Sequence, residues 1–213
     1  MNVTATLQKD GNKASEHVAR YVVDHADSLE ELLQGMSSDV KRVENAAAKA
    51  IRFVSEEAPE LLIPHFATIR KFMSSPDTIC KWIAVDVIGN LARADHDGLV
   101  DHSVMKVLTE QVEDDALITA GHAIDALGKI ASAKPRRRTR ITAALMQVET
   151  LERNAECRNI LLGKTVEAFR RYHRVASPST RGHMEDVAKR LLTNDRPSTR
   201  RRAESFIKQR AHA

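Results

Sequence analysis

A six-residue pattern of small and apolar residues recurs along the chain and constrains its fold more than any other feature. Its clearest copies read Ala-x-x-Val-Ile-Gly at 84–89 and Ala-x-x-Ala-Leu-Gly at 123–128. Weaker copies occur at 47–52, 165–170 and 202–207, so the copies follow one another at intervals of 37, 39, 42 and 37 residues. The first, fourth and fifth positions share one face of a helix, which predicts that each copy buries that face. A recurrence at this interval indicates a helical repeat.

A second amphipathic segment precedes each copy, so every repeat is predicted to be a pair of helices. Turn and capping residues separate the two members, and Pro or Gly residues separate neighbouring repeats. The segments that precede the copies are 28–36, 61–73, 99–112, 137–151 and 182–193. Residues 13–26 predict one further helix. We therefore expect an N-terminal segment with a capping helix at 1–27 and a single repeat array at 28–213.

The repeat that contains 84–89 resembles a HEAT repeat, whose consensus has an Asp, then Val-Arg, then Ala-x-x-Ala-Leu-Gly. Its matching residues are Asp77, Cys80, Lys81, Ala84, Val87, Ile88 and Gly89. The following repeat matches through Ala123, Leu127 and Gly128. This resemblance to the HEAT and armadillo class implies an all-α fold, a right-handed α-solenoid of about five helix pairs with an extra N-terminal helix. It also implies that the second helix of each pair lines a concave surface, and that Lys81 bonds to Asp77 or Asp86.

Two kinds of residue inside the repeats invite a functional reading, but packing explains them more simply. Trp82, the only tryptophan, lies beside the apolar stripe of its helix and is predicted to pack between repeats rather than to hold a ligand. Cys80 and Cys157 lie far apart in helical patterns, without a CxxC spacing. We expect them to be buried, reduced thiols.

Charge is distributed unevenly along the chain. Residues 28–115 contain 9 Lys and Arg against 16 Asp and Glu, whereas residues 134–213 contain 20 against 8, although the net charge of the whole chain is only +4. Two basic clusters, at 134–140 and 196–202, fall at the starts of predicted helices, where cations oppose the helix dipole. In a one-dimensional repeat array this asymmetry persists in space, so an acidic partner is expected to bind the C-terminal half.

Eight basic residues are candidates for contact with an anionic partner. They are Arg136, Arg137, Arg138, Lys164, Arg171, Arg200, Arg201 and Arg202. The alternative is a solvated basic surface, because runs of charge commonly serve solubility. Aromatic residues are not interleaved with these arginines, so a nucleic acid would be bound through its backbone rather than through its bases.

The sequence favours a protein without catalytic activity, metal or cofactor. The densest group of metal-ligating residue types, Asp95 to His102, follows neither the EF-hand spacing nor a zinc-binding HxxxH pair. His122 and Asp125 form a helical i, i+3 pair, but no nucleophile motif or Gly-rich phosphate loop accompanies them. Some HEAT-like solenoids are DNA glycosylases, which would require aromatic residues in a basic groove. The only tryptophan lies in the acidic half, so the chain departs from that pattern.

The resulting prediction is a scaffold or adaptor that binds a protein partner through its concave surface. The alternative is a nucleic-acid-binding module that uses the basic C-terminal half. We expect a monomer, with head-to-tail association of acidic and basic ends as a further possibility. The chain starts without a secretory pattern and has no run of about 18 apolar residues, so we expect a cytoplasmic protein with no membrane contact.

Overall fold

The computed structural model describes residues 1–210, so the last three residues of the predicted repeat array, 211–213, lie outside the described residues. The described residues form twelve α-helices, joined by short 3₁₀ turns and loops, and include no β-strand. The helices are α1 (Val3–Asp10), α2 (Ser15–Asp24), α3 (Leu29–Gly35), α4 (Lys41–Glu57), α5 (Phe66–Lys71), α6 (Thr78–Leu91), α7 (His102–Gln111), α8 (Leu117–Ala133), α9 (Arg138–Met146), α10 (Ala155–Tyr172), α11 (Pro178–Arg190) and α12 (Pro197–Arg210).

The helices alternate as the repeat pattern predicts. Five pairs, α3/α4, α5/α6, α7/α8, α9/α10 and α11/α12, follow one another along the chain, and every copy of the six-residue pattern lies in the second helix of its pair. The fifth residue of the pattern is buried in all five copies: these residues are Ile51, Ile88, Leu127, Phe169 and Phe206. The all-α repeat prediction is therefore confirmed in the described residues.

The N-terminal segment contains two helices, α1 and α2, where the sequence pattern predicted one. Only Val3 and Leu7 of the eight-residue helix α1 are buried, so its sequence shows no recognisable amphipathic period. Asn2 caps this helix by accepting a hydrogen bond from the Ala5 N–H at 2.7 Å. The five helix pairs from α3 to α12 are thus preceded by a further pair, α1 and α2.

Short polar side chains determine where several helices start. Asp77 accepts a hydrogen bond from the Cys80 N–H (3.0 Å), Asn154 from the Cys157 N–H (2.8 Å) and Ser177 from the Thr180 N–H (3.2 Å). Each cap satisfies one of the free N–H groups that a helix start leaves exposed. The predicted helix at 61–73 is shorter than expected because a proline-containing 3₁₀ segment, Pro59–His65, replaces its first part.

The chain forms two compact units, Met1–Val104 and Met105–Ala213, with the boundary inside α7. In the first unit α4 packs against α2 and α6, and in the second unit α10 packs against α8 and α12. The second helices therefore form the central layer of contacts in each unit. The prediction of one continuous array over 28–213 stays a prediction.

Several side chains form hydrogen bonds with residues about one repeat away along the chain. Asn90 donates to the Ser55 hydroxyl, 35 residues earlier, at 2.8 Å, and Asn194 donates to the Asn159 side chain, also 35 residues earlier, at 2.8 Å. Arg138 donates to the Val175 carbonyl, 37 residues later, at 2.7 Å. The period seen in the sequence is thus the distance along the chain between packed neighbours.

The two cysteines lie in different environments. Cys80 is buried, as predicted, and burial raises the pKa of its thiol to about 12. Cys157 is only half-buried, because it lies in the first turn of α10. Trp82 is half-buried on α6. No helix among residues 1–210 is both long and apolar enough to cross a membrane.

Candidate binding face of the second helices

The repeat positions chosen from the sequence have structural roles. Asp77 caps α6, and the small or apolar residues of the pattern are buried: Ala84, Ile88, Gly89, Ala123, Leu127 and Gly128. A Cβ atom placed on Gly128 would lie 2.8 Å from the Ala168 Cβ and 2.9 Å from its Cα, closer than real contacts allow. Glycine at this position therefore permits the close approach of α8 and α10.

The third residue of the pattern is acidic in four successive copies, one in the first unit and three in the second. These residues, named the carboxylate row, are Asp86, Asp125, Glu167 and Glu204. Asp86 is 1% exposed, and its Oδ2 lies 2.5 Å from the Nε of Arg52 on the preceding second helix. Asp77 is similarly bound by Lys41, at 3.2 Å. Both carboxylates predicted as partners of Lys81 are thus also bound by basic residues of the preceding repeat, and the pairing of Lys81 itself stays a prediction.

In the second unit the carboxylate row is bound from the following repeat. Arg171 donates to Asp125 Oδ1 through Nη2 (2.6 Å) and Nε (3.1 Å), and Lys129 lies 3.0 Å from Oδ2. Burial opposes ionisation of Asp125, but the charges of Lys129 and Arg171 outweigh that effect, so the pKa of Asp125 is lowered. Arg202 donates to Glu167 at 2.6 Å. Two carboxylates of the row are therefore neutralised by arginines.

Four of the eight basic residues chosen from the sequence use their guanidinium groups inside the protein. Arg171 and Arg202 bind the carboxylate row, and Arg200 donates to the Asn194 carbonyl at 3.0 Å. Arg138 donates to three carbonyls, of Ala131 (2.9 Å), Ser132 (3.3 Å) and Val175 (2.7 Å). These bonds hold the end of α8 and the turn after α10 in place, so they have a structural function.

The other four predicted residues differ in exposure. Arg136 and Arg201 are exposed, whereas Arg137 and Lys164 are half-buried. Lys164 and Arg201 occupy the same position of the repeat, on α10 and α12, one residue before the six-residue pattern. Arg136 and Arg137 lie in the 3₁₀ turn before α9. The structure thus places two of the eight at the equivalent position of neighbouring second helices.

The sequence analysis missed an isoleucine that recurs at one repeat position of the second helices, and these residues are named the aliphatic row. Ile79, Ile118 and Ile160 lie at the equivalent position of three successive second helices, five residues before the pattern. Ile79 and Ile118 are 42% and 48% exposed, and Ile160 is half-buried. Aligning the repeats by their buried pattern and then comparing the outward positions would have revealed this row.

Two shallow clefts occur in the second unit where a first helix passes into its second helix. One, of about 400 Å³, is lined by Glu156, Asp195, Arg196, Pro197, Ser198 and Arg201. The other, of about 370 Å³, is lined by Glu113, Gln147, Thr150, Leu151, Glu152 and Arg153. Arg196 is bound to Glu156, and Arg153 donates to the Asp114 carbonyl, so each cleft has one arginine already engaged within the protein.

In segment 95–102, which has the densest group of metal-ligating residue types, two aspartates accept hydrogen bonds from backbone N–H groups. The Asp95 carboxylate accepts hydrogen bonds from the N–H groups of Leu99 (2.8 Å) and Val100 (3.1 Å), and Asp101 accepts from Val104 (2.9 Å). Over residues 1–210, no three His, Cys, Asp or Glu side chains come together in a way that could hold a metal ion.

Comparison with known proteins identifies the fold. No protein-family model and no curated protein matches the chain. Among solved structures, a designed armadillo repeat protein aligns with a TM-score of 0.67 and 16% identity over 97% of this chain and 90% of its own. A second designed armadillo repeat protein, in complex with the peptide (KR)4, aligns with a TM-score of 0.69 and 16% identity over 97% and 89%. An engineered protein aligns with a TM-score of 0.70 and 18% identity over 99% and 98%.

These alignments cover nearly all of both chains at low identity, so the likeness concerns the arrangement of the helices. It agrees with the helix pairs, the buried pattern in each second helix and the hydrogen bonds at the repeat period. The chain has the fold of an armadillo-type α-solenoid, the class that the sequence resemblance implied.

Proposed function

We propose that this chain is a non-catalytic scaffold that binds a protein partner through the outward face of its second helices. The observation that carries the proposal is the aligned face of α8, α10 and α12 in the second unit. These helices are tied side by side by the Arg171–Asp125 and Arg202–Glu167 ion pairs. On the same helices Ile118 and Arg201 are exposed and Lys164 is half-buried.

Repetition makes such a face suited to a chain-like partner. Successive second helices present equivalent positions at a regular spacing, and an extended peptide can contact the same position on each helix in turn. Proteins with this fold commonly bind peptides or proteins, and one of the similar designed structures holds a peptide. This support concerns the kind of partner, since function depends on the site rather than on the fold.

Selection from a displayed library of random twelve-residue peptides tests the proposal. We expect the full chain to enrich a consensus, and the triple variant Ile118→Ser, Lys164→Glu, Arg201→Glu to lose it. A matched control carries Ala143→Ser, Lys106→Glu and Lys189→Glu, which change exposed residues of the first helices α9, α7 and α11. Failure to enrich any peptide, or equal enrichment by both variants, contradicts the proposal.

A second candidate function is binding of a nucleic-acid backbone by the basic C-terminal half. Seven basic side chains of residues 134–209 make no hydrogen bond or ion pair with the rest of the described chain. They are Arg136, Arg170, Arg174, Arg181, Lys164, Arg201 and Lys208. Phosphate contacts by such side chains release counterions, which makes the affinity fall steeply with salt.

Fluorescence polarisation with a mixed-sequence DNA duplex and a structured RNA, across a salt series, tests this second function. Micromolar or tighter binding that falls steeply with salt would support it. Neutralising Arg170 and Arg174 should then flatten the slope, since each lost phosphate contact reduces it by about one. Absence of binding at low salt would remove the nucleic-acid function and leave the protein scaffold.

A further inference from the structure

The aliphatic row interrupts the polar surface of the second helices. Among the described residues, five large apolar side chains are exposed, and two of them, Ile79 and Ile118, occupy the same repeat position. Ile160 continues the row on α10, half-buried. Exposed apolar residues that recur at one position of a repeat are unlike the single scattered residues normal for a protein surface.

Cations that are not engaged within the protein lie beside this row in the second unit. Lys164 is one turn along α10 from Ile160, and Arg201 has the equivalent position on α12. Neither side chain makes a hydrogen bond or ion pair within residues 1–210. Arg170 and Arg174, both exposed near the end of α10, are likewise unengaged.

The carboxylates on this face do not balance those cations. Arg171 and Lys129 bind Asp125, and Arg202 binds Glu167. Glu204 is the one member of the carboxylate row in the second unit that remains exposed without a bound arginine among the described contacts. The face therefore carries an excess of positive charge next to apolar side chains.

We propose that this face of the second unit binds an extended acidic peptide segment with aliphatic side chains, a step that rests on the proposed scaffold function. Charge complementarity selects carboxylates opposite Lys164 and Arg201, and the exposed Ile118 with the half-buried Ile160 selects aliphatic side chains. A nucleic acid would satisfy the cations but would leave the isoleucines without a partner. The peptide chemistry is also opposite in charge to the (KR)4 peptide held by the similar designed protein.

Helix spacing indicates the pattern of the peptide. Packed helices lie about 8–10 Å apart, and an extended chain in the polyproline II conformation has three residues per turn and advances about 3.1 Å per residue. Aliphatic residues at every third position would therefore recur on one side of the peptide about every 9 Å and meet successive second helices, with acidic residues between them.

Fluorescence anisotropy with a labelled twelve-residue probe, four repeats of Glu-Ile-Glu, tests the inference on the full chain. Two matched probes replace every Ile by Ser or every Glu by Gln. We expect the native chain to bind the first probe at least tenfold more tightly than either matched probe. Ile118→Ser and Lys164→Gln should each weaken binding about fivefold, whereas Val175→Ser, which changes an exposed apolar residue in the turn after α10, should change it less than twofold.

Each other outcome overturns the inference in a recognisable way. If the display selection enriches basic or neutral peptides and the acidic probe does not bind, this inference fails while the scaffold function stands. If no peptide is enriched and no probe binds, both fail. If a DNA duplex competes with the probe and binds equally well to Ile118→Ser, polyanion binding replaces the peptide. Far-UV circular dichroism of each variant must match that of the native chain.

Discussion

The junctions of α4 with α6 and of α8 with α10 both pack two second helices together, but they use different contacts. The difference lies at the sixth position of the repeated pattern, which is Arg52 in α4 and Gly128 in α8. Arg52 reaches across to the buried carboxylate of Asp86 at 2.5 Å. Gly128 has no side chain and instead allows Ala168 to approach the helix backbone.

This comparison shows that one repeat geometry tolerates very different contacts. The first junction depends on the ion pair between the buried Asp86 carboxylate and Arg52, which also pairs with Glu56 at 2.9 Å. The second depends on close van der Waals contact, and its ion pair, Arg171 with Asp125, lies at a more exposed edge where solvent weakens it. The two junctions should therefore respond differently to equivalent mutations.

The largest expected effect is at the buried ion pair of the first junction. Asp86→Asn removes the buried charge opposite Arg52, whose side chain is 28% exposed and keeps Glu56 as its other partner, and should lower the free energy of unfolding by about 2 kcal/mol. Asp125→Asn, at the second junction, should cost about 1 kcal/mol or less, because Arg171 is 43% exposed. Urea unfolding followed by circular dichroism measures both, and equal costs would contradict the comparison.

The stabilising effect of Asp125 also depends on pH. Because the folded protein lowers its pKa below the ordinary 3.8, Asp125 contributes stability above that value and loses it as pH falls through the folded pKa. The stability difference between the native chain and Asp125→Asn should therefore stay constant above about pH 5 and shrink as the pH falls below about pH 4. A difference that grows on acidification would show that the ion pair is not the stabilising contact.

A matched pair of glycine substitutions in α8 should change stability in opposite directions. Gly128→Ala places a Cβ 2.8 Å from Ala168 and should cost about 1–3 kcal/mol, because the two helices must separate. Gly121→Ala meets no atom within 4 Å and should stabilise the helix by about 0.4–1 kcal/mol. Thermal and urea unfolding of both variants measure whether the free energy of unfolding falls or rises. Two shifts in the same direction would remove the close approach as the basis of this junction.

Substitution of two neighbouring arginines in the basic cluster 134–140 should have different effects on stability, because only one of them is bonded within the protein. Arg138→Ala removes hydrogen bonds to three carbonyls and should cost about 1–2 kcal/mol of unfolding free energy. Arg136→Ala, which removes an exposed side chain two residues away, should change it by less than about 0.5 kcal/mol. A larger loss from Arg136→Ala would mean that the exposed guanidinium has a structural partner.

The smallest effect concerns thiol chemistry in α6 and α10. Cys80 is buried and its thiol pKa is about 12, so it should react with a disulfide reagent only when the protein opens. Cys157 is half-buried and should react in the native state. Native labelling should therefore modify one thiol, and Cys157→Ser should abolish it while Cys80→Ser does not. Rapid labelling of Cys80 would show that α6 is loosely packed.

The sequence predicted the helix pairs because each copy of the pattern buries the same positions. Ala84, Ile88, Ala123 and Leu127 are all fully buried, and Asp77 caps its helix as its place in the pattern suggests. The helix α1 escaped prediction because only two of its residues are buried, which is too few to form a recognisable period. Local pattern therefore predicts the pairs well and the ends less well.

The roles of the basic residues were harder to predict, because the sequence gives the number of charges but not the groups that each one contacts. Arg138 and Arg136 are equivalent in composition, yet one is bound to three carbonyls and the other is exposed. The contacts that decide this join residues tens of positions apart, as in Arg171 with Asp125. Aligning the repeats predicts which helices will be neighbours but not which side chains will meet.

The sequence by itself determined the repeat period, the buried face of every second helix and the uneven charge of the two halves, because these depend on residue type and local spacing. Only the tertiary structure decided which cations remain available and which isoleucines stay exposed. Burial and pairing depend on the neighbouring repeat, whose side chains are distant in sequence. The combination of Ile118, Ile160, Lys164 and Arg201 on one face is the product of that packing.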